Sequence, residues 1–314
     1  TTEIYTLSLH DALPIYRRTW FDYIDFILLL VITVITFYPF WSVLILSLND
    51  PTDALAGRLW FWPRAWTFNN YIHFFERNDF ISATIRSIAR TVIGALSSVI
   101  FTAAVSYGIS KNYLRGQKIY LAIIMFTMYV SGGLIPTFLV IKSLGLYQNF
   151  LVYIIPALFS SYNGIIMFTY FKTIPVELEE SVKVDGGNDL IIFFKIVIPV
   201  SMPMMATITL FNAVGQWNSW FDTLLYGGGK LMTLQGLLVT ILRDVTQAKK
   251  LTESGKFFSG YSLFKPTVES VKATSMMITA IPIIMVYPFL QKYFVKGIRS
   301  EEHTSELQSH HDLV

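Results

Sequence analysis

The chain has 314 residues, of which 53% are hydrophobic and only 14% are charged, whereas soluble domains carry about 25% charged residues. Its net charge of +3 is too small to indicate a nucleic-acid-binding protein. The absence of cysteine excludes a disulfide framework, a thiolate metal site and a cysteine nucleophile. This composition predicts an integral membrane protein.

The two ends of the chain differ in character from its middle. Residues 1–15 and 299–314 are polar or mixed, lack helical periodicity, and resemble translated sequencing-adapter read-through. We therefore expect both to be artefactual tails, and take residues 16–298 as the natural domain. The histidines near the C-terminus fall in the second tail, so neither a metal site nor a cofactor site is predicted: His303, His310 and His311.

Six apolar stretches are long enough to cross a bilayer, whose hydrocarbon core of about 30 Å requires roughly 20 helical residues. They are residues 24–48, 83–110, 119–141, 150–171, 203–225 and 274–295. No signal-peptide cleavage pattern precedes the first stretch, which is therefore expected to remain as an anchor. The chain is predicted to be an all-α, polytopic membrane protein with six transmembrane helices.

Several of these spans contain an internal proline, which removes one backbone hydrogen bond and bends a helix. Such bends indicate either ordinary irregularities of packing or broken helices that line a cavity. The prolines are Pro39, Pro136, Pro156, Pro282 and Pro288.

The second span carries small polar residues four apart on one face, at Ser98, Thr102, Ser106 and Ser110. Small residues at this spacing allow helices to approach closely in lipid. They therefore predict a contact between helices rather than a transport path.

Two of the loops between spans are too long to be simple connectors. Residues 49–82 are rich in Trp and Phe, which is typical of a segment lying at the membrane interface. Residues 226–273 form the larger loop, which is expected to be a partner surface on the outside.

A charged segment, residues 177–203, interrupts the apolar pattern between the fourth and fifth spans, with six charged residues among its first thirteen. Acidic residues after Pro175 favour a helix start, and Gly186 and Gly187 favour its end. Asn188 or Asp189 is expected to cap a second, apolar helix that stops before Pro199. The segment is thus predicted to be a helix, a glycine turn and a helix.

This segment resembles the cytoplasmic "EAA" loop of permease subunits in binding-protein-dependent ABC importers. That pattern has Glu, two small residues, three of any kind, Gly, nine of any kind, Ile, one more residue, then Leu-Pro. The chain matches it at Glu180, Ser181, Val182, Asp185, Gly186, Ile196 and Pro199, and departs from it with Ser-Val for Ala-Ala and Ile198 for Leu.

Other stretches are similar to the maltose-type carbohydrate permeases, especially the Gram-positive subgroup for complex polysaccharides and aldouronates. They are FYPFWSVLILSLND, YVSGGLIPTFLVIKSLGL, FNAVGQWNSWFDTLL and ITAIPIIMVYPFLQKYFVKG. The resemblance covers roughly residues 16–298. It implies import of a sugar or oligosaccharide across the bacterial plasma membrane by alternating access, without covalent chemistry in this chain.

The resemblance also implies partners and a role for the charged segment. The partners are a second permease, two ATPase subunits and an extracellular or periplasmic solute-binding protein. Residues 177–203 would be the coupling helix that docks in a cleft of the ATPase, with Glu180 making a polar contact and Gly186 forming the turn. No phosphate-binding loop is found in this chain, so ATP must be hydrolysed by another.

The orientation of the spans follows from the lysines and arginines of the loops. Their numbers tie between the two sides, but the short turn KNYLRGQK flanks two spans and weighs more than a long loop. With the coupling loop in the cytoplasm, four spans separate it from the N-terminus, so both termini are expected to be cytoplasmic.

Amides and indoles gather in the fifth span, at Asn212, Gln216, Trp217, Asn218 and Trp220. Amides bind sugar hydroxyls and aromatic rings stack on sugar faces, so these residues and Asn163 of the fourth span are candidates for the substrate path. The alternative is that the tryptophans anchor the outer interface and the amides bind neighbouring helices.

Two other functions fit a polytopic membrane protein. An ion-coupled secondary transporter would place ionisable groups at mid-membrane, and the nearest acidic residue is Asp222, close to the outer end of the fifth span. A non-transporting scaffold would tolerate loss of Glu180 and Gly186. An enzyme is not predicted, because the spans hold no His, Glu or Ser group at catalytic spacing.

Overall fold

The computed structural model describes residues 20–54, 57, 59–253 and 267–288. Within these ranges the regular structure is helical, apart from an isolated bridge between Asn49 and Trp66, and the predicted all-α class is confirmed. The two predicted tails, residues 1–15 and 299–314, lie outside the described residues. The same holds for the end of the sixth predicted span, residues 289–295.

The helices are numbered in chain order. They are α1 (Trp20–Ser47), α2 (Pro51–Ala54), α3 (Asn69–Phe75), α4 (Phe80–Ser110), α5 (Gln117–Tyr129), α6 (Leu134–Ser143), α7 (Ser161–Phe171), α8 (Val176–Val184), α9 (Asp189–Ile192), α10 (Ile198–Val200), α11 (Met202–Asn218), α12 (Phe221–Tyr226), α13 (Leu234–Glu253) and α14 (Val268–Pro288). Two 3₁₀ turns, Phe150–Tyr153 and Ile155–Ala157, precede α7, and a π-helical turn, Phe193–Val197, joins α9 to α10.

Three spans are continuous helices, α1, α4 and α14. They match the first, second and sixth apolar stretches of the sequence. Within the chain α1 buries almost none of its apolar surface, so lipid or a partner chain must cover it. Pro39 lies inside α1 and does not end it.

The other three spans are broken. The third is bent by 117° between α5 and α6, and the fourth by 46° before α7. The fifth span starts with α11, which meets the preceding helical residues 189–200 at an angle of 84° at Ser201. Counting each bent pair as one span gives six, in agreement with the sequence. The prolines Pro136 and Pro156 lie next to two of these breaks.

The third span differs from the single helix that residues 119–141 predict. The helix stops at Tyr129, and Gly133 adopts a positive φ of 83° before α6 starts in a new direction. Glycine adopts that conformation without strain, and Pro136 fits the first turn of the new helix. At 13 residues, α5 alone extends about 20 Å, less than the thickness of the hydrocarbon core.

The fifth span also differs from the prediction, because α11 ends at Asn218 rather than continuing to residue 225. Ser219 is extended, and the separate helix α12 follows. Asp222 accounts for the break, since its carboxylate accepts hydrogen bonds from the Ser219 hydroxyl (2.9 Å) and the Thr223 amide (2.8 Å). Such local side-chain bonds compete with a continuous helix.

The centre of the fold is α4, which packs between α7 and α11. Its small polar face makes the predicted helix contact: Thr102 donates to the carbonyl of Leu158 (3.2 Å), and Ser106 to that of Gly164 (2.9 Å). Ser98 accepts from Asn212 of α11 (3.3 Å). These three side chains are buried, and their contacts confirm that this face joins α4 to its neighbours. The fourth predicted residue, Ser110, instead donates to the Tyr107 carbonyl within α4 (2.8 Å).

The two ends of α4 define two sides of the molecule. Near Phe80, α3, α13 and α14 pack around Phe74 and Trp217 in one apolar cluster. Much of the long loop 226–273 is therefore the packed helix α13, while residues 254–266 are outside the described part. Near Ser110, the opposite end of α4 contacts the charged segment.

Candidate functional site

The charged segment forms the helix, glycine turn and helix that its sequence predicts. α8 starts after Pro175 and carries Glu177 and Glu179 in its first turn, where a helix N-terminus favours negative charge. It ends at Val184, and Gly186 follows with a left-handed φ of 81° and an amide that donates to the Lys183 carbonyl (3.0 Å). The Asn188 side chain then caps α9 by accepting from the Ile191 amide (2.9 Å).

The second helix is longer than predicted, because Pro199 does not stop it. Residues 189–200 run as α9, the π-helical turn and α10, and the bend comes at Ser201. Pro199 lacks an amide hydrogen, and the change to π-helical hydrogen bonding just before it accommodates the missing bond. Pro199, which was predicted to end the helix, therefore lies inside it and is exposed.

The motif residues divide into an outward and an inward set. Glu180, Ser181, Asp185 and Gly186 are exposed, whereas Val182 and Ile196 are half-buried against the apolar cluster around Val197. Ser181 therefore lies on the outward side of α8, and Val182 lies on the packed side. Val184 is 87% exposed, one turn after Glu180, so the outward surface is acidic with an apolar end.

A buried ion pair ties α8 to the end of α4. The Lys111 ammonium, which follows α4, donates to the carboxylate of Glu179 and lies 3.8 Å from the centre of the Tyr107 ring. Both charged side chains are about 11% exposed. Burial of two charges is tolerated when they pair directly, so the contact fixes the position of α8.

A second polar contact joins the same two regions, between the Tyr113 hydroxyl and Asp189 (2.9 Å). Partial desolvation of the hydroxyl, together with this contact to Asp189, raises the pKa of Tyr113 to about 12. The phenol therefore keeps its proton and donates to the carboxylate. Sequence reasoning missed Lys111 and Tyr113, although both lie in the basic turn that it singled out for orientation.

A cavity of about 520 Å³ lies at the other end of the α4–α11 contact, between α4, α11, α12 and the residues preceding α7. Asn212, Gln216 and Ser98 line it together with the aromatic rings of Phe159 and Phe211. This combination of amides, hydroxyls and aromatic rings suits a sugar. The cavity therefore contains two of the six residues predicted for a substrate path.

The buried guanidinium of Arg90 forms one wall of this cavity, and sequence reasoning missed it. It donates to both carboxylate oxygens of Asp222 (3.1 and 2.6 Å) and twice to the Gln216 amide oxygen (3.0 and 2.9 Å). It also lies 4.4 Å from the Tyr153 ring centre. The signal was available, since an ionisable residue inside a span is rare without a role.

We expect Arg90→Met to destabilise the fold by about 3–5 kcal/mol, because it leaves the Asp222 carboxylate without its partner. Thermal unfolding of the purified protein in detergent measures the loss. The double variant Arg90→Met/Asp222→Asn should recover part of it, since no unpaired charge then remains. Equal stability of the two variants would contradict this account of the pair.

The remaining path candidates occupy different positions. Asn163 donates to the Asn212 oxygen (2.9 Å) and so supports a cavity residue from α7. Trp217 is buried in the cluster around Phe74 and donates its indole hydrogen to the Thr279 carbonyl (3.1 Å), away from the cavity lining. Asn218 is exposed, and Trp220 is 42% exposed with its ring against Phe221.

No protein-family model matches the chain. It is 35% identical over 282 residues to the polygalacturonan/rhamnogalacturonan transport system permease protein YtcP of Bacillus subtilis, covering 90% of this chain and 97% of that protein. It is 34% identical to protein LplC of the same organism, covering 88% and 92% of the two chains. The trehalose transport system permease protein SugB of Mycobacterium tuberculosis is 27% identical over 83% of this chain and 90% of its own length.

Solved structures give the same comparison. A chain of a bacterial ABC transporter involved in the import of the acidic polysaccharide alginate superposes with a TM-score of 0.76 and 30% identity, covering 90% of this chain and all of that one. A chain of a bacterial alginate ABC transporter in complex with a periplasmic protein, at 17% identity and a TM-score of 0.51, shares the fold.

Proposed function

Because the chain belongs to the permease subunits of carbohydrate ABC importers, we propose that α8 and the glycine turn at Gly186 are its contact with an ATPase subunit. ATP binding and hydrolysis in that partner would move α8, and with it the spans that surround the cavity. The chain itself would carry out no covalent chemistry. The observation that carries this proposal is an exposed acidic and apolar surface on a helix that is firmly anchored to the bundle.

The outward surface of α8 suits a cleft with cationic groups. Glu180 and Asp185 are exposed and can accept charge-assisted hydrogen bonds, which are directional and short. Val184 supplies an apolar contact at the end of the helix. Val182 and Ile196 pack inward and hold the outward residues in place.

The sidedness of the molecule follows from the same contact. The turn of residues 111–118 carries three basic residues and packs against the charged segment through Lys111 and Tyr113. Cytoplasmic turns are rich in Lys and Arg. We infer that both lie in the cytoplasm of the bacterial cell, that both termini are also cytoplasmic, and that residues 16–298 form the transmembrane domain.

The partners follow from this role. A single permease with one docking helix supplies half of a path, and its sequence has no phosphate-binding loop. We propose a second permease, two ATPase subunits, and an extracellular or periplasmic binding protein that delivers the sugar. The lipid bilayer covers the remaining apolar surface.

The cavity beside Arg90 is proposed to be this chain's part of the sugar path. The Asn212 amide nitrogen has two hydrogens, and one of them is donated to Ser98 in the described structure. The other is available for a sugar hydroxyl, while Phe159 and Phe211 offer aromatic surface. Gln216 is held by Arg90 and contributes to the shape of the wall.

We expect Asn212→Ala to raise the sugar concentration for half-maximal uptake by about 2- to 10-fold, the effect of one hydrogen bond. Uptake at several sugar concentrations in proteoliposomes measures this shift. Thr102→Val is the matched control, because it also removes a hydrogen bond of α4 but lies outside the cavity lining. A shift of equal size in both variants would contradict a substrate contact at Asn212.

The proposed function is tested by reconstituting the permease pair and the ATPases in proteoliposomes with the binding protein. Uptake should require ATP and should continue after an ionophore has collapsed the ion gradients. Uptake that stops with the ionophore and continues without ATPase subunits would support an ion-coupled transporter instead. Absence of uptake from a fully assembled complex, for any sugar that its binding protein binds, would support a scaffold.

A further inference from the structure

We propose that the turn of residues 111–116 and the helix α4 move together with the charged segment as one rigid unit. In this arrangement Lys111 and Tyr113 are positioning residues that carry the movement of α8 and α9 into α4. The inference rests on the proposed docking role of α8, and adds to it the route by which the movement reaches the cavity.

The first observation is that two separate polar contacts join the turn to the two helices of the segment. The Lys111–Glu179 ion pair holds α8, and the Tyr113–Asp189 hydrogen bond holds the start of α9. A third group, Lys183, lies 3.7 Å from the Asp189 carboxylate and 5.4 Å from the Tyr113 ring centre. Two contacts at separate points resist both sliding and rotation, which one contact would allow.

The second observation is that apolar packing supports the same connection between the end of α4 and the charged segment, called the joint below. The Tyr107 ring lies under the Lys111 ammonium and 5.4 Å from the Phe193 ring, in a cluster with Ile192 and Val197. All three apolar side chains are nearly inaccessible to solvent. Separating these side chains would expose apolar surface to water and cost free energy, so the end of α4 and residues 192–197 are expected to stay together.

The third observation is the reach of α4 itself. It is one helix of 31 residues without an internal proline, and about 30 Å separate Lys111 from Arg90 along its axis. Arg90 lines the cavity at the far end and holds Gln216 and Asp222. A tilt imposed at Lys111 therefore changes the position of the cavity wall.

The joint is tested with a variant in which the contact between residues 113 and 189 can be cross-linked or left open in the same preparation. The native sequence has no cysteine, and the Tyr113 ring and Asp189 carboxylate are both more than half exposed. We combine Tyr113→Cys and Asp189→Cys with Lys111→Gln, which removes both polar contacts while leaving α8 native. A short bis-methanethiosulfonate reagent then links the two cysteines, in a complex whose other subunits have no accessible cysteine.

The measured quantity is the amount of sugar imported per ATP hydrolysed in proteoliposomes. Before linking, we expect this ratio to fall by about 2- to 30-fold, the range of single couplings between distant sites. Linking should restore the ratio. The double variant Tyr113→Cys/Asp189→Cys, which keeps the Lys111–Glu179 pair, should transport in the linked state, and Tyr113→Cys alone with the reagent controls for chemical modification.

Two results would overturn the inference: a linked protein that is arrested, since the two regions would then have to separate, or a full ratio in the unlinked triple variant. Failure of the underlying docking role is recognised separately with Glu180→Lys. If that variant transports normally, the docking role fails. If it stops transport while the unlinked triple variant stays fully coupled, only the joint is wrong.

Discussion

Gly186→Pro is expected to abolish sugar uptake and the stimulation of ATPase activity in the reconstituted complex. Gly186 has a φ of 81°, whereas proline fixes φ near −65°, so the turn after α8 cannot keep its conformation. The substitution also removes the amide that donates to Lys183. Backbone strain of roughly 1–3 kcal/mol and the lost bond would redirect α8 and its outward surface.

Gly145→Pro is a closely matched control for this experiment. Gly145 also has a positive φ, of 69°, and its amide also donates to the carbonyl three residues earlier, that of Lys142. An added Cβ would meet open space at both glycines. Gly145 follows α6, remote from α8, so we expect this variant to assemble and to keep ATPase stimulation. Equal loss in both variants would indicate a general folding defect rather than a docking role.

Glu180→Lys is expected to prevent stable association with the ATPase subunits. Glu180 is exposed on the outward surface of α8, and its proposed partner is cationic. A like-charge contact at an interface costs several kcal/mol, and each 1.4 kcal/mol corresponds to about tenfold in affinity. Association should weaken on the order of a hundredfold, which co-purification and titration of the ATPase can measure.

Glu76→Lys provides the same charge reversal at the other end of the molecule. Glu76 is an exposed glutamate just after α3, near the start of α4, whereas α8 lies at the end of α4. We expect this variant to bind the ATPase with native affinity. If Glu180→Lys also binds normally, the polar contact assigned to Glu180 is wrong.

The local structure of the charged segment could be predicted because it depends on residues that are only a few positions apart. Gly186 and Asn188 fix the turn by their own conformations and hydrogen bonds, without help from the rest of the fold. The attachment of α8 could not be predicted in this way. Lys111 and Glu179 are 68 residues apart, and nothing in the sequence near either residue specifies the other.

The spans show the same division between local and distant information. Continuous hydrophobicity located six crossings, and Pro136 predicted a bend in the third span, but neither pattern shows that the helix stops at Tyr129 and turns by 117° beyond Gly133. Arg90 was overlooked because its partners, Gln216 and Asp222, come from distant segments of the chain. The shape of the cavity depends on these contacts between distant residues. Of the six residues predicted for the substrate path, two line the cavity, Asn212 and Gln216.

The central claim is that α8 contacts an ATPase subunit, and a cross-link from the exposed side chain at the end of this helix tests it most directly. Val184→Cys introduces the only cysteine of the chain. The Val184 side chain is 87% exposed and lies one helical turn after Glu180. In membranes that contain the whole complex, a thiol-to-amine reagent should link it to an ATPase subunit and to no other partner. A cross-link to the binding protein, or labelling of this cysteine from outside intact cells, would contradict the account.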